Sequence, residues 1–360
     1  CYLNLATWFS RAPYNSLTGA SRWNEPCVPV YTTGTSIDTG GQPRESLRTV
    51  YGRIDQDIDR AIELLEKARE TTLAENNKSH INLYVALGIK SRACLAEGDW
   101  DGAFKAAKRV IDEGGYAVGT KSDLTSGMNS LDKQNVMWGA GIQVADQAGG
   151  YAGFFTHMDN KEGAYAKSAP KLISKQLYNR ISATDIRRDW WDPSDKESPY
   201  VSKKFSFANV ASFLGDYIYM RVEEMYFTAA EAALRLDDLK SARELMNTVM
   251  AERDPGYSAN NRSGTLLGAT TTTWTGSFLE NILTHRRIEL WGEYGRLFDV
   301  RRLGQGIDRR TDDGFSEECI SMMNRRNVNI TKADTYDWVL TIPKAELDAN
   351  PNINEEDQNP

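Results

Sequence analysis

The chain has 360 residues, enough to bury a large core as one large domain or two of ordinary size. Its formal net charge of -7 argues against a nucleic-acid-binding protein, which needs a concentrated basic face to displace counterions from the phosphate backbone. No run of eighteen apolar residues occurs, so the sequence predicts no membrane-spanning helix.

The N-terminal part of the chain is predicted to be a loop framed by helices. Residues 2–9 form an amphipathic segment directly after Cys1, so we interpret the chain as starting inside a helix of a longer protein rather than at a lipidated cysteine. Prolines and glycines interrupt residues 11–46 too often for a helix. From residue 47 to about 114, apolar residues recur at helical spacing, which predicts helical hairpins.

Two of the predicted hairpins share a pattern of small and large apolar residues. Placing Asp99 over Asp238 brings apolar positions of two hairpins, residues 83–112 and residues 222–250, into register. The second hairpin belongs to a helical region at about 218–253. Alanine at matched positions lets paired helices approach closely, which is typical of tetratricopeptide-type repeats. The alternative is that any two amphipathic hairpins align this well.

The regions between and after the helices are rich in loops. We predict loop-rich chain at 122–217 and 304–360, with a short strand at 135–139. Residues 149–160 combine glycines with consecutive aromatic residues and show no periodicity, which is unusual for a core. A further loop at 260–275 is rich in threonine and glycine and contains Trp274. The fold class predicted is therefore mainly α, with tetratricopeptide-like hairpins and a large loop-rich insertion carrying a few short strands.

One long helix is predicted at 277–303, and it carries charges beside its apolar stripe. Ser277 and Glu280 have the spacing of a capping box at its start. Glu289 and Glu293 lie one helical turn apart among several arginines. Such a set is either an internal ion-pair network or a catalytic carboxylate site. Arginine lowers the pKa of a carboxylate, which opposes the role of a general acid and favours the structural interpretation.

Other catalytic and metal-binding motifs are absent from the sequence. The three histidines have no HExxH or HxH partner, and the four cysteines form no CxxC pair, so no metal or other cofactor is expected. Neither a GxSxG nucleophile elbow nor a phosphate-binding GxxxxGK[ST] loop occurs. The sequence leaves open a disulfide between Cys27 and Cys319.

Several separated blocks, in order, match one family pattern. They are the DIR segment at 185–187, RVEEMYFTAAEA at 221–232, LMNTVMAER at 245–253, HRRIEL with EYGR and DVRR between 285 and 302, and the C-terminal LTIPKAEL with NP and QNP between 340 and 360. In this respect the chain resembles the SusD/RagB family of surface glycan-binding lipoproteins of Bacteroidetes. His285 departs from the pattern, because the family has a glutamate there.

The resemblance implies a non-enzymatic protein that captures a glycan at the extracellular face of the outer membrane. Its partner would be a TonB-dependent outer-membrane transporter of the SusC type. The lipid-bearing cysteine and first helices of the family precede this chain, so attachment to the membrane is implied only through an anchor outside it.

Sugar rings pack their C–H faces on aromatic side chains, and their hydroxyl groups need fixed polar partners. Exposed aromatic residues in loops, with polar residues beside them, are therefore the predicted ligand-binding groups. The candidates are Tyr151, Phe154, Phe155, Asp159, Asn160, Trp274 and Trp23. For each one, burial between helices and loops is the structural alternative. Two other functions stay open: a helical glycoside hydrolase that uses paired carboxylates, and a helical-repeat adaptor that binds peptides.

Overall fold

Helices are the main elements of the structure, a computed structural model that describes residues 1–36, 38–71, 77–144, 153–262, 276–306 and 338–359. The helices are α1 (Tyr2–Phe9), α2 (Leu47–Thr71), α3 (Leu83–Glu97), α4 (Trp100–Glu113), α5 (Lys121–Leu124), α6 (Phe154–Met158), α7 (Ala164–Ser168), α8 (Lys175–Tyr178), α9 (Val222–Arg235), α10 (Leu239–Ala251), α11 (Phe278–Glu289), α12 (Arg296–Arg302) and α13 (Lys344–Ala349). Strands β1 (Val136–Ala140) and β4 (Tyr217–Arg221) pair antiparallel, as do β2 (Trp191–Asp192) and β3 (Val201–Ser202). The predicted mainly α fold with a few short strands is confirmed.

The two predicted hairpins are α3–α4 and α9–α10, and their turns have the same construction. Asp99 caps α4 by accepting a hydrogen bond from the amide of Gly102, and Asp238 caps α10 through the amide of Ser241, both at 3.0 Å. The residue before each aspartate has a left-handed backbone, with φ of 78° at Gly98 and 62° at Asp237. Aligned core positions are fully buried in both hairpins. These are Ala93 with Ala232, Ala103 with Ala242, Ala107 with Met246 and Val110 with Val249.

Small residues at these positions let α4 pack directly against α9, so the two hairpins form one stack of helices. The main hydrophobic core lies within this stack and extends to α11. A second cluster joins α1, α2 and α3. Burial on both sides explains why α3 is apolar around most of its circumference. Among the described residues, no helix is both long and apolar enough to cross a bilayer.

The shared turn predicts opposite effects for two neighbouring substitutions. Asp238→Ala should lower the free energy of unfolding by about 1 kcal/mol, because the amide at the start of α10 loses its cap. Asp237→Gly should raise it by roughly 0.5 kcal/mol, because glycine adopts the left-handed conformation without the steric cost of a side chain. Urea unfolding of both variants measures the difference. Two changes of the same sign would contradict the equivalence of the two turns.

The prediction of one continuous helix at 277–303 is wrong. It ends at Glu289 as α11, and the chain turns before α12 begins at Arg296. Gly292 and Gly295 in this turn have φ values of 74° and 133°, which side chains of L-residues rarely adopt. The predicted start is confirmed, since the Ser277 hydroxyl accepts a hydrogen bond from the amide of Glu280 at 3.0 Å.

The loop-rich region predicted at 122–217 contains the strands β1 to β3 and the short helices α6 to α8. Backbone hydrogen bonds tie its segments to one another: Ile173 donates to Tyr200, and Ser202 donates to Lys171. Cys27 is buried as a free thiol 3.3 Å from the hydroxyl of Ser10. The disulfide that the sequence left open is therefore not formed at Cys27, and Cys319 lies outside the described residues.

Candidate functional site

The charges that stood out in the sequence form a buried network around Glu289, which has no exposed surface. One oxygen of its carboxylate accepts hydrogen bonds from Arg221 and Arg253, both at 3.0 Å. The other accepts from Arg253 at 3.0 Å and Arg187 at 3.2 Å. Glu293 accepts from Arg221 at 2.7 Å and Lys204 at 2.5 Å. The network therefore joins α11 to β4 and to the ends of α10 and β3.

The electrostatics of this network suit permanent ion pairs. Burial alone would raise the pKa of Glu289, but Arg253, Arg221 and Arg187 hold that pKa well below the ordinary value of a glutamate. Burial opposes ionisation of Glu293 in the same way, and Arg221 and Lys204 keep its pKa lowered. A general acid for glycoside hydrolysis needs a raised pKa and access to substrate. Neither carboxylate has a raised pKa, and Glu289 in addition has no exposed surface.

Two of the predicted ligand-binding aromatics belong to a hydrophobic cluster. Phe155 is only 2% exposed, so a sugar ring cannot stack on it in this structure. Phe154 is half-buried, with its ring edge-on to Phe155 and Phe205 at centroid distances of 5.2 Å. The Phe155 ring therefore offers almost no exposed surface to a ligand in this structure, and its contact with a ligand stays a prediction. Both rings pack where α6 meets the chain around residues 205–217.

The two predicted polar residues beside them hold loops together. Asp159 is 2% exposed, and its carboxylate accepts hydrogen bonds from the amides of Lys161, Glu162 and Phe207, each at 3.0 Å. Its carboxylate therefore has almost no exposed surface in this structure, and its contact with a ligand stays a prediction. Asn160 is half-buried and bridges the backbone of Lys171 and Ser202, at 2.8 Å to each.

Trp23 is half-buried, and its ring packs against that of Tyr51 at a centroid distance of 5.8 Å. The guanidinium carbon of Arg48 lies 5.6 Å from the centroid of the Trp23 ring. Its position on the second core cluster indicates a mainly structural role. The remaining candidates, Tyr151 and Trp274, lie outside the described residues. The structure therefore does not bring the five described candidates together in one open site.

A polar cleft of about 550 Å³ lies elsewhere, between the end of α8, the turn after α10 and the outer face of α11. A second lobe of about 230 Å³ adjoins it at the start of α11. Both lobes are lined by Arg180, Asn281, His285 and Arg262. Tyr257 lines the larger lobe, so one aromatic ring stands among amide, imidazole and guanidinium groups.

Contacts with one another and with the buried Arg187 hold the side chains of this polar cleft in place. The Tyr257 hydroxyl donates to the Asn281 side-chain oxygen at 2.7 Å, and the Tyr257 ring stands perpendicular to that of His285 at 5.2 Å. Arg187 lies 2.8 Å from Nδ1 of His285. Because a guanidinium only donates, Nδ1 must accept, and the proton of the neutral imidazole is on Nε2.

Burial, together with the nearby charges of Arg187 and Arg262, lowers the pKa of His285 well below its ordinary value. His285 is therefore neutral at physiological pH and presents a single N–H donor at Nε2. The amide nitrogen of Asn281 is a second donor, since its oxygen is occupied by Tyr257. The polar cleft thus offers fixed donors beside an aromatic ring, which is the chemistry that recognises a hydroxylated or anionic small molecule.

Sequence reasoning missed this cleft, although it noted some of its surroundings. His285 stood out only as a departure from the family pattern. Tyr257, Asn281 and Arg180 come from three separate segments and share no local motif. Among the residues that the structure describes, no group of His, Cys, Asp or Glu side chains could hold a metal ion.

Comparison with known proteins supplies a family for this fold. A family model described as the SusD family matches residues 157–360. A solved SusD-like carbohydrate binding protein from Bacteroides vulgatus aligns with a TM-score of 0.75 at 24% identity, over 99% of this chain and 74% of its own. A SusD superfamily protein from Bacteroides thetaiotaomicron gives a TM-score of 0.75 at 23% identity, over 100% and 75% of the two chains.

Surface glycan-binding protein A from Bacteroides uniformis aligns with a TM-score of 0.63 at 17% identity, over 99% of this chain and 75% of its own. At these identities the similarity to solved structures shows the shared fold. No protein of curated function matches the chain in sequence.

Proposed function

Because the chain belongs to the SusD family, we propose that it captures a glycan at the cell surface and delivers it to a SusC-type TonB-dependent transporter. Two structural relatives support the choice of ligand, since their names describe a carbohydrate binding protein and a surface glycan-binding protein. The location that follows is the extracellular face of the outer membrane, with attachment by a lipid anchor of the kind typical of the family.

The polar cleft is the observation that carries this proposal. A sugar ring would pack on the exposed part of Tyr257, and its hydroxyl groups would accept hydrogen bonds from His285 and Asn281. We propose that Trp274 adds a second aromatic surface, which is supported by its place two residues before Gly276, a residue that lines the smaller lobe. Tyr151 stays a proposed contact on a separate loop.

The proposed role is capture without cleavage. The paired carboxylates Glu289 and Glu293, the strongest catalytic candidates in the sequence, are buried in ion pairs and cannot reach a glycan in the polar cleft. Binding without chemistry needs only fixed donors, acceptors and aromatic surface, and the cleft supplies these. No cofactor or metal enters the proposal.

Isothermal titration against a panel of plant and host polysaccharides tests the proposal. Saturable binding should appear for at least one glycan, with a change in tryptophan fluorescence and no new reducing ends after prolonged incubation. Release of sugar would favour the glycoside hydrolase instead. A flat response to every polysaccharide, together with binding of peptides, would contradict glycan capture and favour the helical-repeat adaptor.

Delivery to a transporter needs a separate experiment. The chain and a SusC-type transporter from the same genome should co-purify from detergent-solubilised outer membranes. Absence of a complex, with glycan binding intact, would contradict the delivery step and leave glycan capture standing.

A further inference from the structure

Arg262 lines both lobes of the polar cleft, and its backbone is held on two sides. Its amide donates to the carbonyl of Ala259 at 3.0 Å, and its carbonyl accepts from Arg243 at 2.5 Å. Its guanidinium, in contrast, makes no hydrogen bond and no ion pair with any residue in the described part of the chain. The contact that it does make is with the ring of Tyr257, whose centroid lies 6.0 Å away.

The carboxylates of the polar cleft are already engaged by other groups. Glu280 pairs with Arg180 at 2.8 Å and also accepts from the amide of Gly276 at 2.7 Å. Asp254 is only 5% exposed, and one of its oxygens accepts from the hydroxyl of Thr184 at 2.5 Å and the amide of Gly256 at 3.0 Å. Arg262 is therefore a preformed cation whose counterion is not supplied by the described residues.

Two further groups that line the polar cleft are available as hydrogen-bond donors. Nε2 of His285 and the amide nitrogen of Asn281 make no hydrogen bond with the described residues, and each carries a proton. A guanidinium beside two neutral donors is matched best by an oxyanion, which can accept several hydrogen bonds at once. A neutral sugar would leave the charge of Arg262 without a partner after water is displaced.

We propose that the polar cleft binds an acidic saccharide, with a carboxylate or sulfate group of the sugar paired to Arg262. This inference rests on the proposed function and adds the chemical class of the glycan. Arg180 lines both lobes as well and provides a second positive charge close to its own partner Glu280. The protein as a whole has a net charge of -7, so attraction of an anionic polymer must come from local cations of this kind.

Matched pairs of polymers test the inference directly. Polygalacturonate is compared with its fully methyl-esterified form, and dextran sulfate with dextran, so that the members of a pair share a sugar backbone and differ in their anionic groups. Isothermal titration of the intact chain should show at least one anionic polymer binding about 10- to 100-fold more tightly than its neutral partner. The pair that shows the difference identifies carboxylate or sulfate as the recognised group.

Arg262→Gln should abolish that preference while leaving thermal unfolding nearly unchanged, because the guanidinium makes no hydrogen bond or ion pair with the described residues and contacts only the ring of Tyr257 among them. Arg60→Gln is the matched control, since it removes the same charge from an exposed position on α2 and should preserve the preference.

A preference retained in Arg262→Gln would overturn the assignment. Equal affinity for charged and neutral members would overturn the acidic class but leave glycan capture intact. Absence of binding to all four polymers, with binding to another neutral glycan, would overturn the acidic class as well. Absence of binding to any glycan would overturn both proposals.

Discussion

Glu289→Gln is expected to lower the free energy of unfolding by about 3–5 kcal/mol. The substitution keeps the shape of the side chain but removes the negative charge that Arg187, Arg221 and Arg253 share. Those three guanidinium groups are fully buried, so water cannot replace the lost partner. The cost arises because three buried guanidinium groups must then share only the remaining carboxylates, Asp185, Glu223 and Glu293, and buried positive charge that is not fully compensated is expensive.

Urea unfolding measures this loss, and Glu63→Gln provides the control. Glu63 also bonds to two cations, Arg60 and Lys67, but on the exposed surface of α2. Its replacement should change the free energy of unfolding far less than that of Glu289, because water solvates all three charged groups when the exposed pairs are lost. A Glu289→Gln protein that keeps its stability while losing a glycan-cleaving activity would contradict the structural role of the network and revive the glycoside hydrolase.

Tyr257→Ala is expected to weaken glycan binding at least about tenfold, because it removes the aromatic surface of the polar cleft and frees Asn281 from its hydrogen bond. Tyr257→Phe keeps the ring and should lose only part of that affinity. Titration of the best-binding oligosaccharide measures both variants.

Tyr165→Ala is the matched control for this experiment. Tyr165 is an exposed tyrosine on α7, stacked on His157 at 4.6 Å and remote from the lining of the polar cleft. Its removal should leave affinity unchanged. Equal losses in the Tyr257 and Tyr165 variants, or none in either, would remove the polar cleft as the binding site.

The helical framework was largely predictable because its determinants are local. Asp99 and Asp238 cap their helices through amides three residues ahead, and the buried alanines recur at helical spacing. Both features can be found within a window of one or two turns. The break between α11 and α12 is different, because Gly292 and Gly295 interrupt a pattern that otherwise stays helical in period.

The candidate site was much less predictable because its contacts are long-range. Phe155 follows a glycine-rich stretch and has the local sequence of an exposed loop, but its burial depends on Phe205 and Phe207 some fifty residues later. Tyr257, His285 and Arg180 meet only after three segments have packed together. No spacing in the sequence records that the described residues give Arg262 no counterion, since this follows from where Glu280 and Asp254 make their bonds.

The central claim is that a glycan binds in the polar cleft of this SusD-family chain. A crystal structure of the chain with its best-binding oligosaccharide tests that claim most directly. We expect sugar density within contact distance of Tyr257, His285 and Arg262. The positions of Glu289 and of its arginine partners should not change. Well-defined sugar at Trp23 or Phe154, with the polar cleft empty, would contradict it.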